Sequence, residues 1–313
     1  MSATEAQAGP VRGLDAAALG DILGAMLDLV RGHEDELNRL NVFPVRDHDT
    51  GTNMALTLEG VVKAVEATRG RPLRELAGAV VDAAMLEARG NSGTILSEAL
   101  RGMFETWAPL DLVGPADLVR GFRAAADRAE QSVLDPVEGT ILTVARVTAD
   151  AMEELAPADL GTLLAGAAEA AGRAVEATTA QLPALRRAGV VDAAAKGYEL
   201  CVRAFAGKVA QEGPLAASTP ATAVAPAAEP AGNGGHGPAF EVQYLLASGE
   251  DDLRELERYL ATIGDSITVV RGDGRWRVHV HTEDAGAAIE EAVRRGTVSR
   301  IQVAYLGEGP RSD

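Results

Sequence analysis

Between Gly213 and Pro238 the chain is a run of Pro, Ala, Gly, Ser and Thr with few large apolar residues. Pro and Ala stiffen its first part, Gly loosens its end, and it cannot build a core. The run divides the sequence into two stretches whose apolar residues repeat with different periods. Before it, Leu19, Ile22, Leu23, Met26, Leu27 and Val30 recur at helical spacing behind an Asp15 N-cap. Helices are predicted from Asp15 to about Leu40, over 53–67, and from Pro72 with an interruption at Ala88–Thr94. Others are predicted over 115–133, 139–154, 158–180 and 191–210. After the run, Phe240, Val242, Tyr244 and Leu246 alternate as in a strand. Helix is expected over 251–263 and 284–295, and strand over 266–271, 276–282 and 298–306, with Gly272 and Gly274 in a turn. The expected organisation is multi-domain: a disordered start (1–13), an all-α barrel or bundle (14–212), the linker (213–238), a small α+β domain of ferredoxin-like β-α-β-β-α-β order (239–308) and a tail (309–313).

The net charge of −17 argues against nucleic acid and anionic membrane surfaces as partners, since both require basic patches. Cys201 is the one cysteine, so no disulfide or Cys-based zinc site forms within a chain, and a cytoplasmic location is expected. No signal peptide and no membrane-spanning run is recognised.

Four polar junctions interrupt the helical stretch. The first, Asn41 to Met54, places Asp47 and Asp49 one residue apart in a loop that Pro44 and Gly51 keep from being helical. Carboxylates there offer hard oxygen ligands for Mg²⁺, and the helix start at Thr52-Asn53 offers N–H groups for phosphate. The plain alternative is a polar loop capped by Thr52. The second junction, Gly90-Asn91-Ser92-Gly93, reads either as a backbone that approaches a nucleotide or as a helix–helix turn. In the third, Thr140 suits an N-cap, and Glu138 is either a third acidic ligand or a first-turn carboxylate. In the fourth, Asp192 lies where an N-cap is the default. In an up-and-down bundle alternate loops share one end, so the four junctions are expected to converge there. In the small domain Trp276, Val278 and Val280 share the helix-covered face. Arg277, His279 and His281 then face the open side with Glu241 and Gln243. Glu241, His279 and His281 read either as Zn²⁺ ligands or as a polar or dimer surface.

The runs LNVFPVRDHDTGTNM, ARGNSGTIL, PVEGTILTV and AGVVDA, in that order, with VHVHT at Val278–Thr282, resemble the bacterial fatty acid kinase catalytic subunit family. That family's N-terminal domain is related to the ATP-binding L subunit of dihydroxyacetone kinase. The resemblance implies a helical barrel or bundle that binds Mg²⁺ and ATP at one end. Asp47 and Asp49 match its metal ligands and catalytic carboxylates; Thr50, Gly51, Thr52, Asn53, Asn91, Ser92, Gly93, Thr140 and Asp192 match positions around the nucleotide. It implies transfer of phosphate to a fatty acid carboxylate presented by a separate fatty-acid-binding protein, and a homodimer. The alternatives are a dihydroxyacetone-type small-molecule kinase and a nucleotide-binding regulatory or scaffold protein without turnover. Several positions depart from the family. His48 replaces the glycine of D-G-D, and Arg46 stands where proline is usual. Ala194-Ala195 replace Gly-Gly, Glu241 aligns with a cysteine that resembles a zinc ligand, and the family's C-terminal domain is not matched.

Overall fold

The computed structural model of the chain describes residues 12–211, 239–272 and 274–306. The expected linker (213–238) and tail (309–313) lie outside these residues, as do residues 1–11 of the expected N-terminal segment.

Asp15 caps the first helix as expected, its side chain accepting from Ala18 N at 2.8 Å. The single helix expected to run to about Leu40 is instead two, α1 (Ala16–Gly32) and α2 (Glu34–Leu40). His33 makes the break: its backbone leaves the helical region and its Nδ1 lies 2.8 Å from Leu29 O. Glu34, Asp35 and Glu36 then favour a fresh helix start through the dipole. Next come α3 (Thr50–Glu66), α4 (Leu73–Glu87), α5 (Gly90–Trp107), α6 (Pro115–Gln131), α7 (Ile141–Leu155), α8 (Leu160–Gln181), the short α9 (Pro183–Ala188) and α10 (Ala193–Gln211). The interruption expected at 88–94 shrinks to Ala88 and Arg89. The α9 turn inside the expected 182–192 loop is a missed element, begun by Pro183 at its first position and closed by Gly189 with φ +67°.

Packing runs α1–α3–α4–α5–α6–α7–α8–α10 and back to α1, which closes a barrel. Its core is Leu, Val and Ala with one aromatic knot, Phe104, Trp107, Phe122 and Phe205, in edge-on contacts. Chain direction alternates around the ring, so the α2–α3, α4–α5, α6–α7 and α8–α10 connections lie at one end.

The second unit comprises β1 (Phe240–Ala247), α11 (Glu250–Ile263), β2 (Gly264–Arg271), β3 (Arg275–Thr282), α12 (Ala285–Arg295) and β4 (Thr297–Tyr305). Its antiparallel sheet has the order β2-β3-β1-β4, the expected ferredoxin-like topology. Val242, Tyr244, Leu246, Trp276, Val278 and Val280 pack under α11 and α12.

The opposite face is not open. Arg277, His279 and His281 are 2%, 1% and 3% exposed, because the sheet sits on the junction end of the barrel. The edge of β2 pairs with the α6–α7 connection: Val269 N donates to Ser132 O at 2.9 Å and Leu134 N to Ile267 O at 3.2 Å. Such pairing also caps an otherwise bare sheet edge. At the far end of β2, Glu98 of α5 accepts from Arg271 N (3.1 Å), Arg101 (2.5 Å) and Arg128 (2.8 Å). Arg101 in turn donates to Arg271 O. Arg277 reaches Leu86 O at 3.2 Å.

Candidate nucleotide and cation site

A cleft of about 380 Å³ lies where the sheet meets the barrel. Its barrel wall is made by the four junctions. In the first, Asn41 is buried and its Nδ2 donates to Asp47 Oδ1 at 2.5 Å, which fixes one carboxylate. His48 takes φ +59°, a left-handed backbone that glycine would adopt at no steric cost. Its Nδ1 lies 3.1 Å from Asn38 O.

The two helix starts beside the cleft differ. At α3 the N–H groups of Gly51 and Thr52 donate to Asn38 Oδ1 at 2.7 and 3.2 Å. Thr52 Oγ1 donates to Glu34 Oε1 at 2.7 Å. The first turn of α3 is thus sealed by α2, and neither Gly51 nor Thr52 lines the cleft. At α5 no side chain caps the first turn, and Gly90, Asn91 and Ser92 do line it. Gly90 has φ +56°, and a Cβ there would stand 2.3 Å from Asn53 Nδ2. Gly93 does not line the cleft; a Cβ on it would meet Thr57 Oγ1 at 2.3 Å, so its smallness lets α5 cross α3.

In the third junction Thr140 caps α7, accepting from Leu142 N at 3.4 Å, and also lines the cleft. Glu138 lies two residues before the N-cap and turns to Thr143 (2.6 Å) and Arg146 (2.7 Å), so it is neither a first-turn carboxylate of α7 nor directed at the other two carboxylates. In the fourth, Asp192 lines the cleft while the N–H groups of Ala194 and Ala195 bond to it. Burial pushes it up to about 7 even so. Of the Ala pair, Ala195 points into the barrel core and Ala194 lines the cleft.

The third carboxylate comes from the other domain. Single ligand atoms of Asp47, Asp49 and Glu241 all lie within 4.8 Å of one another. Burial first, then the charge of Asp47 and its hydrogen bond, then Glu241, push Asp49 up to about 7, while a hydrogen bond from Asn53 acts against this. The sheet wall carries His279 and His281, with ring centroids 4.9 Å apart. Burial, then the charge of Arg277, pulls His279 down to about 3; burial, then His279, pulls His281 down to about 4. Both rings are neutral near pH 7. Sequence reasoning missed Asn38 and Asn41, the hydrogen-bonding partners of the loop; an Asn three residues before another, at a helix end, carries no signal of its own. It also placed Glu241 with the histidines alone, since nothing in a linear pattern says that the sheet closes the barrel.

Residues 44–207 match the family described as the DAK2 domain, and residues 237–311 match the FakA-like middle domain of the fatty acid kinases. An uncharacterized protein of Staphylococcus saprophyticus is 31% identical over 89% of this chain and 53% of its own length. Protein YloV of Bacillus subtilis is 28% identical over 95% of this chain and 56% of its own. The chain therefore spans about half the length of these curated relatives. Among solved structures, the dihydroxyacetone kinase of C. freundii in complex with AMP-PNP and Mg²⁺ aligns with a TM-score of 0.47 at 18% identity, over 66% of this chain and 36% of that one.

Proposed function

We propose, from the premise that the chain belongs to the DAK2 domain family, that its cleft binds Mg²⁺ and ATP and transfers a phosphoryl group to a carboxylate. The observation that carries this reading is the meeting of Asp47 and Asp49 with the uncapped start of α5 on one cleft. The residues fit a divalent cation. The charged neighbours of Asp49 are Asp47 and Glu241, both acidic. Hard carboxylate oxygens suit Mg²⁺, and N–H groups at the positive end of a helix suit phosphate. Asp47 and Asp49, kept in place by Asn41 and Asn53, would hold Mg²⁺, which would offset charge developing on the transferred group, and the uncapped first turn of α5 would receive phosphate oxygens. A carboxylate acceptor is already ionised near neutral pH, so no residue need take its proton. Following the family, the acceptor is a fatty acid carried by a separate fatty-acid-binding protein and the product an acyl phosphate. His48 keeps the left-handed loop and Ala195 turns away from the cleft, which supports a working site over one that binds nucleotide without turnover.

One observation favours a second reading. A hydroxyl acceptor needs a base, and neutral His279 and His281 line the cleft; that would suit a small polyol, as in dihydroxyacetone-type kinases. A Zn²⁺ at Glu241, His279 and His281 draws less support, because among the described residues the ligand atoms that lie within 4.8 Å of one another are those of Asp47, Asp49 and Glu241, without the histidines. The sheet face expected to pair two copies is covered by the barrel, and exposed Ile301, Val303 and Tyr305 on β4 offer a homodimer another surface of the small domain. No helix of the described residues is long and apolar enough to cross a membrane.

Calorimetric titration with ATP and Mg²⁺ tests the binding step. Magnesium-dependent binding is expected in the wild type and is lost, by on the order of a hundredfold, in Asp47→Ala/Asp49→Ala. Trapping with hydroxylamine then identifies the acceptor, because an acyl phosphate yields a hydroxamate and a polyol phosphate does not. ADP release with dihydroxyacetone and no hydroxamate with acyl-loaded carrier would reverse the order of the two readings.

A further inference from the structure

Glu241 lies on the strand face that α11 and α12 do not cover. The β1–β3 register sets it opposite His281 and sets Gln243 opposite His279. In an isolated sheet this face meets water; here it is pressed against the barrel, and Glu241 is 8% exposed. Its Oε1 accepts from Gln243 Nε2 and lies 3.4 Å from His279 Nδ1. Its carboxylate also faces the partly buried Asp47 and Asp49, so three acidic groups from the two domains meet in the cleft.

Setting three carboxylates side by side, one buried and two partly buried, is unfavourable unless a positive charge joins them. Among the described residues no cation bonds to Asp47 or Asp49, and Arg277 acts on Glu241 only from beyond Gln243. Arg277 on the same face spends its guanidinium on Gln243 Oε1 (3.1 Å) and Leu86 O (3.2 Å). Arg271 pairs with Glu257 (2.6 Å) and Arg101 with Glu98. A second observation points the same way. His279 is 1% exposed, lines the cleft, and neither of its ring nitrogens has a hydrogen-bond partner; Nδ1 of His281 also has none. Buried polar atoms normally find partners, and a neutral imidazole without one offers a lone pair to whatever occupies the cleft.

We propose that Glu241 is a shared ligand: a divalent cation held by Asp47 and Asp49 of the barrel and Glu241 of the sheet spans the domain interface and clamps the small domain over the nucleotide end. This rests on the reading of Asp47 and Asp49 as cation ligands given above, and adds that the site is complete only when both domains are in place. Mn²⁺, which takes the same carboxylate oxygens as Mg²⁺, serves as a probe of this site.

The test uses the full chain and Mn²⁺ without nucleotide. Loss of the free-ion electron paramagnetic resonance signal reports binding, and amide exchange of β2, β3 and residues 132–134 reports docking. Wild type is expected to bind Mn²⁺, and Mn²⁺ to slow exchange at those segments. Glu241→Gln is expected to weaken binding by on the order of tenfold or more and to abolish the added protection. Glu241→Asp, which keeps the charge but withdraws it by one methylene, is expected to fall between and serves if the Gln variant does not fold. Unchanged Mn²⁺ affinity in both variants, or Mn²⁺ binding in the wild type with no effect on exchange, would overturn the clamp and leave the nucleotide reading standing. Mn²⁺ binding that depends on Glu241 in a chain that binds no ATP would do the reverse.

Discussion

The barrel wall of the cleft and its sheet wall are made by opposite means. The barrel wall consists of junctions: Asp47 and Asp49 in a loop, Asn91 and Ser92, Thr140 and Asp192 at helix starts. Each is placed by a change of chain direction and by partners such as Asn38 and Asn41. The sheet wall consists of residues in mid-strand, Glu241, His279 and His281, whose direction is set by strict alternation. Burial also acts on them with opposite sign. It raises the carboxyls of Asp49 and Asp192 and lowers the imidazoles of His279 and His281, so each wall tends toward neutrality. The two walls teach that burial discharges acidic and basic groups alike, by shifts of opposite sign.

The comparison breaks most severely if the walls are separated. Arg101 ties α5 to Glu98 and to the end of β2, and both Arg101 and Glu98 are buried. Arg101→Ala removes one of the two arginines paired with buried Glu98 and the bond to Arg271 O, and is expected to cost about 2 kcal/mol in urea denaturation. Trp107 reports on the barrel and Trp276 on the sheet. Fluorescence of single-tryptophan variants should therefore show two transitions that coincide in the parent and separate in Arg101→Ala. A loss below about 1 kcal/mol, the range of a surface pair, would show that this network does not dock the sheet.

The electrostatic contrast is sharpened by pH. Asp192 has its folded value near 7 against an ordinary 3.8. Unfolding releases a proton between those values, so its contribution to stability falls as pH rises through that window and the loss is complete above about 7. Asp192→Asn is expected to gain on the wild type by on the order of 2 kcal/mol at about pH 8 and by little near pH 4. His279 runs the other way. Its folded value near 3 lies below the ordinary 6.5, so its contribution is present above 6.5 and is lost as pH falls toward 3. His279→Gln flattens that acid limb. Melting curves of the two variants that track the wild type at every pH would contradict the assigned burial.

The smallest effect concerns the barrel wall alone. His48 holds a left-handed backbone without being glycine, which costs about 1 kcal/mol. His48→Gly should raise the denaturation midpoint by that amount, reduced by glycine's greater freedom in the unfolded chain. Destabilisation instead would mean that the ring's contact with Asn38 O outweighs the backbone strain.

Much of this was legible in the sequence, for identifiable reasons. The change from helical to alternating periodicity gave the two domains and the ferredoxin-like order. The convergence of four junctions follows from alternating helix direction, and His48 stands out in the sequence as a departure from D-G-D. Three things were not legible. The α1–α2 break depends on a local hydrogen bond of His33. The sealing of α3 depends on Asn38 lying beside it, which turned Gly51 and Thr52 from cleft residues into packing residues. Glu138 was a reasonable third ligand by its position in the chain, yet Arg146 draws it outward.

The sequence by itself determined which side chains share a face, because the periods of helix and strand are properties of the local backbone. It therefore settled that Glu241, His279 and His281 point together and that Asp47 and Asp49 lie in a loop at a helix start. Only the tertiary structure decided that those two groups meet. That depends on the edge of β2 pairing with residues 132–134 and on Glu98 gathering Arg101, Arg128 and Arg271, contacts between residues far apart in the chain. Such contacts depend on the fit of whole surfaces, and no local pattern encodes that fit.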